Sequence, residues 1–342
     1  MGDQADRSGI GETLDVPLIL DSIGGVANQR SDPTSMSKHV AVLMGGWSAE
    51  REVSLRSGRA CAEALSRLGY RVTRIDVGRD IAAVLGTVKP DIALNVLHGR
   101  PGEDGTLQGI LEILAIPYTH SGVLASALAM QKDLAKVVLA DAGVPVPHGV
   151  TVDRREAARR HVLEPPYVLK PINEGSSLGV VIVKEGRAHP PQEVGREDWP
   201  YGDRILAERF VDGKELTCAA MGDRVLGVIE VQPLSEAFYG YDAKYAKGGS
   251  KHILPAVLKP NIYHKVQDLT LRAHRALGCR GVSRADFRFD ETKGEEGELV
   301  CLEVNTQPGM TETSLVPEMA AHAGLAFGEL VAWMVEDASC DR

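Results

Sequence analysis

Two short segments late in the chain constrain its fold more than any other stretch: GVSRADFRFD at residues 281–290 and ELVCLEVN at 298–305. Both alternate with a period of two, which predicts strands. On the first, Arg284, Asp286 and Arg288 share one face, with Ala285, Phe287 and Phe289 on the other. On the second, the same alternation groups Leu299, Cys301, Glu303 and Asn305 opposite Val300, Leu302 and Val304. A turn over residues 292–297, centred between Gly294 and Glu295, closes a hairpin that sets Asp286 opposite Glu303 and Arg284 opposite Asn305. Carboxylates facing each other across a ladder have Cβ atoms roughly 5 Å apart and repel, so a cation or proton between them is favoured. An all-oxygen Asp, Glu and Asn set suits Mg²⁺, which is held by one or two carboxylates together with substrate phosphates. The alternative is a solvated hairpin whose charges face water.

The upstream sequence supplies partners for such an ion. Residues 1–38 are rich in Gly, Ser, Asp and Thr without periodicity and predict a flexible N-terminal extension, with Met36 a candidate start. From His39 the pattern becomes strand, glycine turn, helix: HVAVLMGG precedes a helix on which Val53, Cys61, Ala64, Leu65 and Leu68 keep helical spacing. Residues 70–76 and 91–97 add strands, so a wound parallel sheet is predicted, with ligands at the strands' carboxyl ends. Glu50 and His98 follow two of those ends; as isolated residues they read equally well as a helix N-terminal charge and a structural histidine. Glycines at 99, 102, 105 and 109 permit close backbone approach to a ligand.

A mostly helical stretch over 122–153 carries Lys132 and ends near AGVPVP. Strands at 167–171 and 180–183 flank the loop NEGSSLG, and with Lys170 they form a plausible phosphate cover, although the Walker spacing is absent. Residues 187–201 read as loop. Three further strands are predicted at 204–211, 215–221 and 224–232, with Glu208 and Glu215 near strand ends, where a carboxylate can accept ribose hydroxyls or simply keep an edge soluble. Residues 236–250, EAFYGYDAKYAKGGS, read as a loop able to close over a ligand, and a helix over 261–277 leads into the hairpin.

Six motifs in this order, GGWSAEREVSLRSG, LHGRPGEDGTLQG, LKPINEGSSLG, YGYDAKY, SRADF and EVNTQPGMTETSLVPE, resemble those of the D-alanine:D-alanine ligase family of the ATP-grasp superfamily. The resemblance covers residues 38–338 and implies an α/β chain, α+β in its C-terminal part, with the ATP-grasp fold. It implies an N-terminal substrate-binding domain at 39–121, a central subdomain at 122–212 and a C-terminal catalytic domain at 213–342. In that family ATP phosphorylates the carboxylate of one D-alanine and the amine of a second attacks the acyl phosphate, a step toward peptidoglycan precursors. The implied cofactors are ATP and two Mg²⁺ or Mn²⁺ ions, and the implied assembly is a homodimer. Carried onto this chain, Asp286, Glu303 and Asn305 resemble the metal ligands, Lys132 and Lys170 the ATP phosphate lysines, and Glu208 and Glu215 the adenosine contacts. Glu50 resembles the acceptor of the first substrate's ammonium, in a set with Ser176 and Tyr245, with His98 nearby. Arg284 and the Gly309 N–H resemble the oxyanion donors, and Lys244 and Ser314 the holders of the second carboxylate.

The chain departs from the family pattern at Trp47, after the Gly-Gly turn, at Gln131 before Lys132, and at Gln307, where serine is frequent in the Asn-Thr-x-Pro-Gly segment. The rival is a sister ligase that joins D-alanine to D-lactate or D-serine; Tyr245 argues against the depsipeptide former, since ligases resembling that class generally lack the tyrosine of this loop. A nucleotide-binding regulator without turnover is disfavoured by the full set of charged residues, and a dinucleotide oxidoreductase by the missing G-x-G-x-x-G. Composition is that of an ordinary soluble globular protein: 342 residues with 44% hydrophobic and 25% charged side chains predict two or three compact units. A net charge of -9 disfavours nucleic-acid or anionic-membrane partners. Five scattered cysteines without C-x-x-C spacing read as reduced thiols, and with no apolar run long enough to span a membrane the expected location is the cytoplasm.

Overall fold

A computed structural model describes residues 37–233, 250–311 and 313–341. The expected extension at 1–36 and most of the 236–250 loop, including Lys244 and Tyr245, lie outside the described residues. The described chain builds three sheets, each with its own apolar core.

The first sheet is parallel, in the order β2 (Arg71–Asp76), β1 (His39–Met44), β3 (Ile92–Asn95). The continuous apolar run of β1 reflects burial on both faces, as parallel strands require. Helix α1 (Arg51–Arg67) crosses β1 closely enough that a Cβ on Gly58 would meet the Met44 sulfur at 2.4 Å. Its buried stripe holds Val53, Cys61 and Leu65. The predicted Leu68 falls beyond the helix end and is 51% exposed, because the helix stops one residue before the next inward-facing position. Helices α2 (Ile81–Val88) and α3 (Thr106–Ile113) complete this core around Leu43, Leu85 and Leu111.

After α4 (Val123–Met130) and α5 (Lys132–Asp141) the chain enters a four-stranded antiparallel sheet ordered β4 (Gly149–Asp153), β7 (Arg204–Arg209), β5 (Tyr167–Pro171), β6 (Val181–Val183). Strand β4 occupies the end of the mostly helical stretch expected over 122–153; it is half-buried and follows a proline-containing break that hides its alternation. Asp153 closes it by accepting from the Arg155 and Glu156 N–H groups, which caps the short helix α6 (Arg154–Arg159). Within 187–201, expected as loop, the chain forms one 3₁₀ turn at Gln192–Gly195.

The third sheet is antiparallel, ordered β10 (Ser250–Ile253), β9 (Arg224–Pro233), β8 (Lys214–Met221), β11 (Val282–Asp290), β12 (Glu298–Asn305). Helix α7 (Pro260–Ala276) covers one face with Val266, Leu269 and Ala273, packing on Ala285, Phe287 and Phe289. The other face is the cleft. Arg284 pairs with Asn305 and Asp286 with Glu303, as the hairpin register predicts. Beyond Asp286 the ladder shifts by one residue, so Phe287 pairs with Cys301 and Leu302 is the extra residue of a bulge. The bulge corrects the predicted face of the second strand: Leu299 and Cys301 join Val304 in the core, while Glu303 and Asn305 face the cleft. Helices α8 (Leu315–His322) and α9 (Phe327–Glu336) end the described chain, α9 returning onto α1 and β3.

The four buried cysteines, Cys61, Cys218, Cys279 and Cys301, are free thiols. No described helix is long and apolar enough to cross a membrane.

Candidate active site

The three sheets converge on a cleft of about 750 Å³, lined among the described residues by Glu50, His98, Lys132, Ser176, Arg284, Asp286, Glu303, Asn305, Gly309 and Ser314. Residues distant in sequence are thus brought to one surface. A smaller recess of about 100 Å³ adjoins it and shares Lys132, Glu215, Asp286 and Glu303; Lys170, Glu208, Leu178, Val180, Phe210 and the bulged Leu302 also line it.

At the first sheet's end, Gly45 takes φ +82°, and a Cβ there would meet an Asp76 carboxylate oxygen at 2.1 Å, so only glycine fits the turn. The turn delivers Glu50 to the start of α1, where its side chain makes no capping bond. Instead its carboxylate accepts from the Ser176 hydroxyl, 126 residues away. Ser176 and Ser177 lie in the loop between β5 and β6 with φ +52° and +59°, a left-handed conformation that non-glycine residues adopt at a cost and that aims this loop at Glu50. His98 is buried beneath, its Nδ1 3.5 Å from Glu103 Oε1 and its Nε2 3.5 Å from Ser57 Oγ. Burial pushes the Glu103 carboxyl up; His98 opposes this and the Glu50 charge adds to it. Glu103 escaped the sequence reading, although its spacing five residues after His98 within HGRPGED was available as a signal.

On the hairpin, Arg284 donates from Nε and Nη2 to the two oxygens of Asp286, at 2.8 and 2.7 Å. Thr217 Oγ1 donates to Asp286 Oδ1 at 2.6 Å. Glu303, opposite, lies 3.4 Å from Lys132 Nζ, which also donates to the Glu174 carbonyl. Asn305 Oδ1 accepts from the Gln307 N–H at 2.8 Å. The repulsion inherent in the facing carboxylates is thus met by one cation on each. Two carboxylates and an amide, with no cluster of three or more His, Cys, Asp or Glu among the described residues, form a donor set that needs further oxygens from a phosphate-bearing substrate to hold a magnesium-type ion.

Lys170 and Lys136 grip the two oxygens of Glu208, which is 2% exposed. Lys136 Nζ lies 2.5 Å from Oε1, an ion pair whose angles fall outside hydrogen-bonding geometry. Burial pushes the Glu208 carboxyl up, but the two ammoniums outweigh it and hold the group below the usual carboxylate range. Burial, reinforced by the Lys170 charge, pushes Lys136 down. Lys136 is a second residue the sequence reading missed; it sits one helical turn after Lys132 on the same face of α5. Glu208 therefore stands behind Lys170 rather than at an exposed strand end. Glu215 lines both cavities, 3.6 Å from Arg288.

At the far end, Ser314 Oγ accepts from the Thr311 N–H at 3.0 Å and lies 2.9 Å from where a Cβ on Gly309 would be. Lys244 and Tyr245, expected in this site, lie outside the described residues.

With this geometry in place, comparison with known proteins is decisive. Residues 138–336 match the model of the D-ala D-ala ligase C-terminus, and residues 85–121 that of the N-terminus. The chain belongs to the D-ala D-ala ligase family. It is 69% identical over 307 residues to the D-alanine--D-alanine ligases of Xanthobacter autotrophicus and Methylorubrum populi, covering 90% of this chain and 100% of each relative. Among solved structures it is similar to the D-alanine--D-alanine ligase of Bacillus anthracis complexed with ATP, with a TM-score of 0.73 and 27% identity over 88% of this chain and 97% of the other. This family member has the ATP-grasp fold: a parallel sheet and two antiparallel sheets with helices about them.

Proposed function

We propose that the chain joins two D-alanines into D-alanyl-D-alanine at the expense of ATP, releasing ADP and phosphate, for peptidoglycan precursor synthesis. The observation that carries this reading is a single cleft holding the Glu50–Ser176 pair at one end and the Arg284, Asp286, Glu303 and Lys132 cluster at the other. The first end suits an amino acid's ammonium, and the second suits polyphosphate with a divalent ion.

In the proposed sequence, the carboxylate of the first D-alanine attacks the γ-phosphorus, ADP leaves, and an acyl phosphate forms. The amine of the second D-alanine adds to the acyl carbon, loses a proton, and phosphate leaves with one oxygen of the original carboxylate. Phosphoryl transfer asks chiefly for fixed geometry and cations against negative charge. Lys132 and Lys170 would face the phosphates, with Glu208 orienting Lys170 and Glu215 on the adenosine side. Asp286, Glu303 and Asn305 would hold two Mg²⁺ or Mn²⁺ ions, which supply charge neutralisation when bound. Glu50, with Ser176 and Tyr245, would accept the first ammonium near His98. Arg284, swinging from Asp286, and the Gly309 N–H would stabilise the tetrahedral oxyanion. Lys244 and Ser314 would hold the second carboxylate.

We also propose a cytosolic homodimer; the exposed Ile113, Val123 and Leu124 on the packed helices α3 and α4 support an apolar contact between copies, which light scattering would test. The reaction itself is tested by incubating the chain with ATP, Mg²⁺ and D-alanine, alone and with excess D-lactate, and analysing products by mass spectrometry. The expected product is D-alanyl-D-alanine in both mixtures. Predominant D-alanyl-D-lactate at neutral pH, or ATP binding without phosphate release, would overturn the reading.

A further inference from the structure

Gln307, one of the chain's departures from the family pattern, is 1% exposed and bonded at both ends of its amide. Its Nε2 donates to the Leu97 carbonyl, and its Oε1 accepts from Asn95 Nδ2 at 2.7 Å. The assignment of these atoms is forced by the network. Leu97 offers a carbonyl, so it must face an N–H. Asn95 Nδ2 also donates to the Gly102 carbonyl at 3.0 Å, while its Oδ1 accepts from the Leu97 N–H at 3.2 Å. Gln108 completes the set by donating to Gly102 at 2.7 Å.

This network bridges two parts of the cleft. Leu97 precedes His98 directly, and Gly102 precedes Glu103, so the amide of Gln307 holds one flank of the loop that carries the buried His98–Glu103 pair directly and the other through Asn95. Just past the end of β12, the Gln307 N–H donates to Asn305 Oδ1 at 2.8 Å. Two residues on lies Gly309, followed by Met310, whose N–H donates to Ser57 Oγ at 3.3 Å beside His98. A serine at 307 is too short to reach both Leu97 and Asn95, so the Leu97 carbonyl would lose its only side-chain donor among the described residues, in a dry site.

We propose that Gln307 is a positioning residue that sets the His98–Glu103 loop against the strand end bearing Glu303 and Asn305, so that the first D-alanine is held in register with the phosphate site. This rests on the proposed ligase activity. The test uses the full chain and Gln307→Ser, Gln307→Glu and Asn95→Ser. The glutamate variant keeps the shape of Gln307 but turns an acceptor toward the Leu97 carbonyl. Asn95→Ser breaks the same network from the other side, should either 307 variant fail to fold. The measurements are KM for the first D-alanine, kcat, thermal midpoint, and calorimetric binding of ADP with Mn²⁺ in the absence of D-alanine.

The expected result is a rise of about tenfold in the first D-alanine KM for each variant, with ADP·Mn²⁺ binding kept within about twofold. Combining Asn95→Ser with Gln307→Ser should raise KM no further than Gln307→Ser alone, because both remove one network. An unchanged D-alanine KM in folded variants would overturn the proposal. Equal losses of D-alanine and nucleotide binding that track the thermal midpoint would do the same. If the parent chain forms no D-alanyl-D-alanine, the reading of the activity has failed; if it does and the variants match it, only the role of Gln307 has failed.

Discussion

Replacing Glu208 by glutamine leaves Lys136 and Lys170 facing each other in a nearly dry site. At present the two ammoniums share one carboxylate that is 2% exposed. A unit pair about 4 Å apart is worth about 4 kcal/mol at an effective dielectric near 20, and two such attractions disappear while the lysine–lysine repulsion remains. Buried pairs broken at one partner lose about 3–5 kcal/mol. An unfolding entropy of about 2.1 cal/mol/K per residue over roughly 290 described residues gives ~0.6 kcal/mol/K, so the midpoint should fall by about 5–8 °C at pH 7. The pH dependence checks the cause. Glu208 titrates below its unfolded value of 4.5, so its contribution is complete above pH 4.5 and is lost as pH falls through the lower folded value. The gap between parent and Glu208→Gln should therefore close in acid. Differential scanning calorimetry at pH 7 and down to pH 3 measures both. A midpoint shift under about 2 °C at pH 7, or a gap that is constant with pH, would refute the charge argument.

Other expectations follow from the same site. Asp286→Asn and Glu303→Gln should each abolish turnover and weaken Mn²⁺·ADP binding in calorimetry; turnover retained at saturating Mg²⁺ in both would remove the paired carboxylates from the metal site. Arg284→Ala should lower kcat by about 10²–10³ with ATP binding largely kept, as for loss of an oxyanion donor, and an effect confined to the KM for ATP would count against that role. Away from the cleft, burial pushes His274 down to about 4 from an ordinary 6.5, with the neighbouring Arg275 and Arg280 charges acting the same way. The unfolded chain then takes up this proton at higher pH than the folded one, so stability falls by about 3 kcal/mol as pH drops from 6.5 to 4. His274→Gln should flatten that part of the profile, as followed by urea unfolding at each pH.

The hairpin shows how far the sequence could be read. Period-two alternation and a short turn located Asp286 against Glu303 and Arg284 against Asn305. The bulge at Leu302 was invisible, because an inserted residue leaves local composition unchanged and is set by what each face packs against. Its consequence is functional: Leu302 and Glu303 both line the smaller recess, while Cys301 turns into the core, where burial pushes its thiol up to about 12. Long-range charge pairing was equally illegible. Lys136 carries no local signal until β7 is folded beside α5, and Gln307 registered only as an unusual residue until Asn95 and Leu97 were adjacent to it. Strand β4 was missed because its five residues are only half-buried and sit behind prolines. The motif order, by contrast, carried the family, because the described glycine-bearing motifs at 45–50, 98–105 and 173–179 occupy turns beside the cleft.

The proposed reaction requires that a D-alanine carboxylate be phosphorylated in this cleft before the peptide bond forms. The most direct measurement follows oxygen: D-alanine labelled with ¹⁸O in its carboxylate is incubated with the chain, ATP and Mg²⁺, and the released phosphate is analysed by mass spectrometry. One ¹⁸O atom transferred to phosphate for each dipeptide formed is the predicted result; phosphate without label alongside D-alanyl-D-alanine would contradict it.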